Sequence, residues 1–128
     1  MFMEAGLKNT VEFLVTEDMS AARVGSGALN VFATPTMIAM MEKAALECVQ
    51  PYLEEGQGTV GTLIYVTHDA ATPIGMKVRC EAELTEVDGR RLVFKVEAFD
   101  EAGHIGGGTH ERFIVFNEKF QAKTDAKL

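Results

Sequence analysis

The chain of 128 residues has few of the features that mark membrane, secreted or nucleic-acid-binding proteins. No apolar run approaches the roughly 20 residues that a helix needs to span a bilayer. Basic residues do not cluster and the net charge is −7, which argues against binding to nucleic acid or to anionic membrane surfaces. Residues 1–10 lack the charged, apolar and cleavage regions of a signal peptide. A cytoplasmic location is therefore expected.

Cysteine and histidine are also scarce, with two and three residues. Cys48 and Cys80 stand outside any paired motif and are predicted to be reduced core residues. His68, His104 and His110 do not have the spacing of metal ligands, and no serine lies in a nucleophile elbow. Neither a metal nor a separate cofactor is expected.

The composition, 47% hydrophobic and 24% charged, is that of a single globular domain, assigned to residues 1–128. Within it, residues 31–50 (VFATPTMIAMMEKAALECVQ) predict the one long helix. Thr34 is the expected N-cap, because its hydroxyl can accept from a backbone N–H of the first turn. Pro35 suits the first helical position and Pro51 ends the helix.

Strand signals fill most of the remaining sequence. Alternating apolar residues and β-branched residues predict five strands, at 10–17, 59–68, 76–87, 92–98 and 104–117. Asp88-Gly89 indicates a two-residue hairpin turn. Residues 18–30 are predicted to form a loop or a mobile lid, and the polar tail from Glu118 is expected to fray. The order of elements predicts an α+β fold with an antiparallel sheet curled around the helix.

Glu42 is out of place on this helix. Its neighbours three and four positions away are Ile38, Ala39, Ala45 and Leu46, and all four are apolar. A carboxylate on an apolar flank is poorly solvated, and such groups concentrate at active sites. The alternative is an edge residue that reaches water or pairs with a structural base.

Two further polar residues lie on predicted strands. His68 ends the strand at 59–68, on the face predicted for Val60 and Ile64, where a lone histidine is more often structural than catalytic. Arg112 could contact a phosphate or carboxylate, or could pair with a glutamate. Three glycines at 106–108 predict a bulge or a close approach of two backbones.

The runs VFATPTMIAMMEKAALECVQPYLEEGQGTVGTLIYVTHDAATPIGMKV, DGRRL and GGGTHERFIV resemble the hotdog-fold acyl-CoA thioesterases, in particular the fluoroacetyl-CoA thioesterase-like branch. The resemblance extends from about Val31 to Lys119. It implies a hotdog fold, a five-stranded antiparallel sheet wrapped around one central helix. It also implies a homodimer or a tetramer, with active sites at the interface between two protomers.

The resemblance assigns roles to five residues. Thr34, Glu42 and His68 match the family's catalytic positions, with Glu42 acting as nucleophile or as general base. Gly61 matches a glycine associated with the acyl end of the substrate. Arg112 matches an arginine associated with substrate contacts. Coenzyme A enters only as part of the substrate.

The implied function is hydrolysis of an acyl-CoA thioester to a free acid and coenzyme A. Residues 23–30 (RVGSGALN) contain no aromatic residue, whereas the fluoroacetyl-specific enzyme carries phenylalanines in the matching lid. Pro35 also replaces a glycine of that enzyme. A short-chain or aryl acyl group is therefore expected. A non-catalytic acyl-CoA sensor and a hotdog enoyl-CoA hydratase or dehydratase are the alternatives.

Overall fold

Five antiparallel strands form one sheet in the computed structural model, which describes residues 3–128. The order across the sheet is β1-β3-β4-β5-β2, so β1 and β2 are its edges. The strand bounds are β1 Lys8–Leu14, β2 Gln57–His68, β3 Lys77–Asp88, β4 Arg91–Asp100 and β5 Gly103–Phe116.

Three α-helices accompany the sheet. They are α1 Ala21–Val24, α2 Thr34–Val49 and α3 Asn117–Asp125, with 3₁₀ turns at Glu17–Met19 and Gln50–Tyr52. None of the helices found within residues 3–128 is long and apolar enough to cross a bilayer. The predicted α+β architecture is confirmed.

Helix α2 packs against one face of the sheet because one of its own sides is apolar along its whole length. Six of its residues are buried, namely Met37, Met41, Ala44, Ala45, Cys48 and Val49. They pack against inward residues of the strands such as Leu84, Leu92 and Phe94. Both cysteines are free and buried, as predicted.

The start of α2 differs from the prediction. Ala33, not Thr34, is the N-cap, and no side chain caps this end. Thr34 occupies the first helical position and Pro35 the next, where a missing N–H costs nothing. The prediction that Thr34 caps the helix is wrong, because its hydroxyl bonds to a side chain elsewhere in the fold.

Two segments predicted to be irregular contain helix. Residues 18–30 include α1, where the Ser20 hydroxyl accepts from the Arg23 N–H and Gly25 ends the helix at φ 91°. The tail forms α3 rather than fraying, and bonds such as Gln121 Nε2 to Asp125 Oδ1 (3.0 Å) support it locally. Both predictions relied on the absence of an apolar period, which these short or exposed helices do not need.

A bulge in β2 sets which residues face the helix. The pairing of β2 with β5 shifts between Gly61 and Leu63. Gly61 pairs with Arg112 and Ile64 with His110, while Val60 pairs with Phe113. Residues directly opposite in an antiparallel sheet share a face, so Val60 does not lie on the face of Ile64 and His68, contrary to the prediction.

The glycines of β5 permit close contact with both neighbouring strands. A Cβ at Gly106 would collide with the Thr67 carbonyl, and one at Gly108 would collide with the Tyr65 carbonyl. A Cβ at Gly107 would lie 2.9 Å from the carbonyl oxygen of Val96 on β4. The predicted close backbone approach is confirmed.

Candidate active site

The first group of polar residues lies where α2 begins. Thr34 Oγ1 and His68 Nδ1 are hydrogen-bonded at 2.7 Å. His68 reaches this position because it ends β2, and the Asp69 N–H then donates to the Ile105 carbonyl at 2.6 Å. Phe32 packs edge-on against the imidazole with 6.3 Å between ring centroids. The fold thus joins two residues that are 34 positions apart in sequence.

The surroundings of the His68 ring favour its neutral form. Burial lowers its pKa, and the nearby Asp69 carboxylate opposes that effect in part. Its Nε2 is enclosed and has no hydrogen-bond partner among the described residues. Nδ1 is therefore the ring nitrogen that faces the site, and it does so through the exposed Thr34 hydroxyl.

An open cavity of about 220 Å³ borders this pair. Most of the side chains that line it are small or apolar. Besides Thr34 and His68, the lining residues are Ala21, Ser26, Val31, Phe32, Asp69, Ala70 and Ala71. Part of the predicted lid, residues 18–30, thus contributes to the wall, through Ala21 and Ser26.

The second group lies further along α2, where Glu42 meets strands β2 and β5. Its Oε2 is 3.8 Å from Arg112 Nη1, a loose ion pair, and the Glu42 side chain is 40% exposed. A Cβ on Gly61 would lie 2.8 Å from Oε2, 3.3 Å from His110 Cε1 and 3.5 Å from Arg112 Nη1. Glycine at position 61 therefore provides the space in which these three side chains converge.

The guanidinium of Arg112 is buried and held mainly by neutral groups. Nε donates to Thr59 Oγ1 at 2.8 Å, and Nη2 donates to the Thr59 carbonyl at 2.9 Å. Nη1 donates to His110 Nε2 at 3.2 Å. Burial lowers the pKa of Arg112, and the Glu42 charge opposes this. Arg112 thus pairs loosely with a glutamate, and its contact with a phosphate or carboxylate of a substrate stays a prediction.

His110 is the member of this group that the sequence did not single out. It is 1% exposed, and its Nδ1 is 2.7 Å from the Leu63 carbonyl. A carbonyl only accepts and a guanidinium only donates, so Nδ1 carries the proton and Nε2 is the unprotonated nitrogen that accepts from Arg112. Burial lowers the pKa of His110, which agrees with this neutral tautomer. The only signal in the sequence was that His110 shares a strand face with Arg112.

The two groups are separate within the chain. Thr34 and Glu42 are eight positions apart on α2, or about 12 Å along the axis at about 1.5 Å per residue. His68 and Gly61 lie towards opposite ends of β2. The structure therefore brings Thr34 to His68, and Glu42 to Gly61 and Arg112, but does not bring the two sets together. Within residues 3–128, no three His, Cys, Asp or Glu residues are placed to hold a metal ion.

This architecture, one sheet around a helix that carries polar residues, defines a hotdog-fold protein. The chain matches a hot-dog-like protein from Thermanaerovibrio acidaminovorans with a TM-score of 0.87 at 21% identity, covering 97% of this chain and 92% of that one. A likeness at that identity shows the fold, and the expected hotdog fold is confirmed.

The family follows from closer matches. The family model described as FlK, fluoroacetyl-CoA-specific thioesterase, matches residues 15–118, and the chain belongs to that family. It is 52% identical over 98 residues to the fluoroacetyl-CoA thioesterase of Streptantibioticus cattleyicolor, covering 77% of this chain and 70% of that protein. The solved structure of the fluoroacetyl-CoA thioesterase FlK matches with a TM-score of 0.94 at 41% identity, covering 100% of this chain and 99% of that one.

Proposed function

We propose that this protein hydrolyses acyl-CoA thioesters with short-chain or aryl acyl groups, and that Glu42 is the central catalytic residue. The observation that carries the proposal is the state of the Glu42 carboxylate. It lies over a glycine, is partly exposed, and is only loosely paired with an arginine that also donates to Thr59 and His110. Such a carboxylate can reach a reacting group instead of being held in a tight ion pair.

The complete site is formed by two copies of the chain. Strand β2 is an edge strand, and Leu63, Ile64 and Tyr65 at its centre are exposed. Antiparallel pairing of two β2 strands near Ile64 and Tyr65 would bring Gly61 of one copy close to His68 of the other. Glu42 of one copy then faces Thr34 and His68 of the second, so a homodimer contains two equivalent sites. Assembly of two dimers into a tetramer is compatible with this arrangement.

The chemistry requires one bond to form at the thioester carbonyl carbon and the C–S bond to break. With Glu42 as general base, the carboxylate takes a proton from water as the water oxygen bonds to that carbon. The C–S bond then breaks, and the carboxylic acid returns the proton to the departing thiolate. With Glu42 as nucleophile, its oxygen bonds to the carbon, the C–S bond breaks, and the thiolate leaves and takes a proton from solvent. Water then hydrolyses the resulting anhydride, which releases the acid and restores the Glu42 carboxylate.

Thr34 and His68 act on the same centre from the other copy. The Thr34 hydroxyl is exposed and can orient the water or the thioester carbonyl. The neutral imidazole shares a hydrogen bond with that hydroxyl at Nδ1, which fixes the direction of the hydroxyl. The backbone of Gly61 and the buried cation of Arg112 then border the acyl end of the substrate.

The cavity beside Thr34 supports a small or planar acyl group. Its volume of about 220 Å³ and its alanine-rich lining leave space next to the hydroxyl. Residues 23–30 add no aromatic side chain that would narrow it. No cofactor is needed in this scheme, and the free cysteines agree with a reducing, cytoplasmic location.

Complementation between two inactive variants tests both the reaction and the shared site. Glu42→Gln and His68→Ala are each assayed for thiol release from a panel of acyl-CoA esters, and each is expected to lose at least about 100-fold in kcat. The two proteins are then mixed, unfolded and refolded together. Mixed dimers contain one intact site, so about a quarter of wild-type activity should return.

The outcomes separate the alternatives. Undiminished turnover by folded Glu42→Gln would refute the role of Glu42. Loss of activity in both variants without recovery on mixing would place the site within one chain. Binding of acyl-CoA by the wild type without thiol release would indicate a sensor, and hydration of an enoyl-CoA would indicate a hydratase.

A further inference from the structure

We propose that His110 is a positioning residue that holds the Arg112 guanidinium away from Glu42, so that the carboxylate stays free to react. The proposal rests on the function proposed for Glu42. It assigns a task to a buried histidine that is not among the residues lining the cavity beside Thr34 and has no contact with substrate in the proposed reaction. Three features of the cluster support this role: the tautomer of the ring, the donors of Arg112 and the space above Gly61.

The tautomer is set by the β2 bulge. The shift in pairing between Gly61 and Leu63 places the Leu63 carbonyl 2.7 Å from His110 Nδ1, where it can only accept. The opposite nitrogen, Nε2, is then an acceptor with a fixed direction. Phe94 stacks on the ring with a centroid distance of 6.0 Å and restricts its rotation.

Nε2 accepts from one of the two N–H groups of Arg112 Nη1, and this bond limits how far the guanidinium can turn towards Glu42. Nη1 is 3.2 Å from His110 Nε2 but 3.8 Å from Glu42 Oε2. Thr59 holds the other two nitrogens of the guanidinium through its hydroxyl and its carbonyl. An arginine and a carboxylate normally approach to a charge-assisted bond of about 2.7–2.9 Å. The longer separation here is therefore maintained by the neutral partners of Arg112.

The space above Gly61 makes this balance sensitive to position 110. His110, Arg112 and Glu42 all lie within 3.5 Å of the point where a Gly61 Cβ would be. The charged groups around His110 are Arg112, Glu42 and Glu111. Removal of the acceptor would leave Nη1 unpaired, and closure onto Oε2 is the nearest way to satisfy it.

The test compares two replacements at position 110 with a packing control. His110→Gln keeps an amide oxygen that can accept from Arg112, while His110→Phe fills the space without an acceptor. Phe94→Leu loosens the packing next to the ring and leaves its hydrogen bonds in place. For each folded variant, kcat, KM and the pH dependence of kcat are measured, together with a crystal structure.

His110→Phe is expected to lower kcat by about 10- to 100-fold and to change KM by less than about 3-fold. The acid limb of its kcat profile should move to lower pH, because a close cation favours the ionised carboxylate. The crystal structure should show Arg112 Nη1 within about 3 Å of Glu42. His110→Gln should retain kcat within about 3-fold, and Phe94→Leu should leave the pH profile unchanged.

An unchanged pH profile in His110→Phe, or an Nη1–Oε2 distance that remains near 3.8 Å, would overturn the proposal. If His110→Phe does not fold, His110→Gln and Phe94→Leu decide the question. Loss of the contact with Arg112 in His110→Gln, together with equal losses of kcat in His110→Gln and Phe94→Leu, would then overturn the proposal. The crystallographic distance needs no activity, and it is complemented by ¹⁵N NMR of the wild type, which should show the proton on Nδ1. Absence of thioesterase activity in the wild type would refute the proposed function. The crystallographic distance and the NMR measurement would still test the positioning role of His110.

Discussion

The Thr34–His68 pair and the cluster of Glu42, Arg112 and His110 lie along the same helix and strands, but they are built differently. The pair consists of two uncharged side chains at the end of β2, with one hydrogen bond between them. The cluster contains opposite charges and at least three hydrogen bonds to a buried guanidinium. The pair borders an open cavity, whereas two members of the cluster are almost fully buried.

The difference shows how one fold can hold charged side chains in a buried network and keep a neutral pair accessible at the surface. A charge in the interior must be surrounded by partners, so the cluster is a network that the core holds rigidly. A neutral pair needs only one contact and can remain at the surface, where substrate and solvent enter. In the proposed dimer each site combines a rigid charged half from one copy with an accessible neutral half from the other.

The largest expected effect is the loss of stability on removing the buried cation. Arg112→Met should lower the free energy of unfolding by about 2–4 kcal/mol, because Thr59, His110 and Glu42 all lose a partner. Urea denaturation at neutral pH measures it. Arg23→Met is the matched control, since Arg23 forms only exposed pairs at 3.5 Å, and it should cost less than about 0.5 kcal/mol. Equal losses in the two variants would contradict the network.

An intermediate effect is expected from pH. The pKa of His110 is lowered in the folded protein by burial, so below about pH 6.5 the unfolded chain binds more protons than the folded one. The contribution of neutral His110 to the free energy of unfolding should therefore be fully present above that pH. It should decrease as the pH drops towards the pKa of His110 in the folded protein. The free energy of unfolding is compared at about pH 7.5 and 5.5.

His110→Gln, which cannot take up this proton, should show a smaller fall than the wild type between the two pH values. His68→Gln should also reduce the fall, since burial lowers the pKa of His68 as well. The effect should be larger for His110, which is 1% exposed and faces the cation of Arg112. If the free energy of unfolding fell equally in the wild type and in His110→Gln between the two pH values, the folded protein would not resist protonation of the His110 ring.

The smallest effect on stability is expected at the start of α2. Thr34→Ala should change the free energy of unfolding by less than about 0.5 kcal/mol, because the hydroxyl does not cap the helix. Ser20→Ala, which removes the cap bond to the Arg23 N–H, should cost about 1 kcal/mol. Thiol release should fall with Thr34→Ala alone. A larger loss of stability for Thr34→Ala than for Ser20→Ala would restore the capping role.

Most of the fold could be predicted from local patterns. Pro35, Pro51 and an apolar row at helical spacing located α2, and alternation located β2 to β5 within a few residues. The tail was predicted wrongly because α3 has no buried residue and is supported by bonds within itself. Helices of that kind leave little periodic signal in a sequence.

The candidate site was predicted only in part. The apolar neighbours of Glu42 made it conspicuous, and the family resemblance added Thr34, His68 and Gly61. No local pattern marked His110, because strand alternation places it on a face without showing which carbonyl it meets. Leu63 supplies that carbonyl from 47 positions away, and only after the bulge has changed the pairing of β2.

The sequence by itself determined the long helix and the five strands, the apolar faces that drive them together and the family to which the chain belongs. Only the tertiary structure decided which groups meet: Thr34 with His68, and Arg112 with Thr59, His110 and Glu42. Helix and strand signals are local because they depend on backbone hydrogen bonds and on side-chain period. Apart from the bond between Arg112 and His110, the site depends on contacts between residues far apart in sequence, such as the 34 positions between Thr34 and His68 and the 53 between Arg112 and Thr59. These contacts form only when the sheet and the helix have packed together.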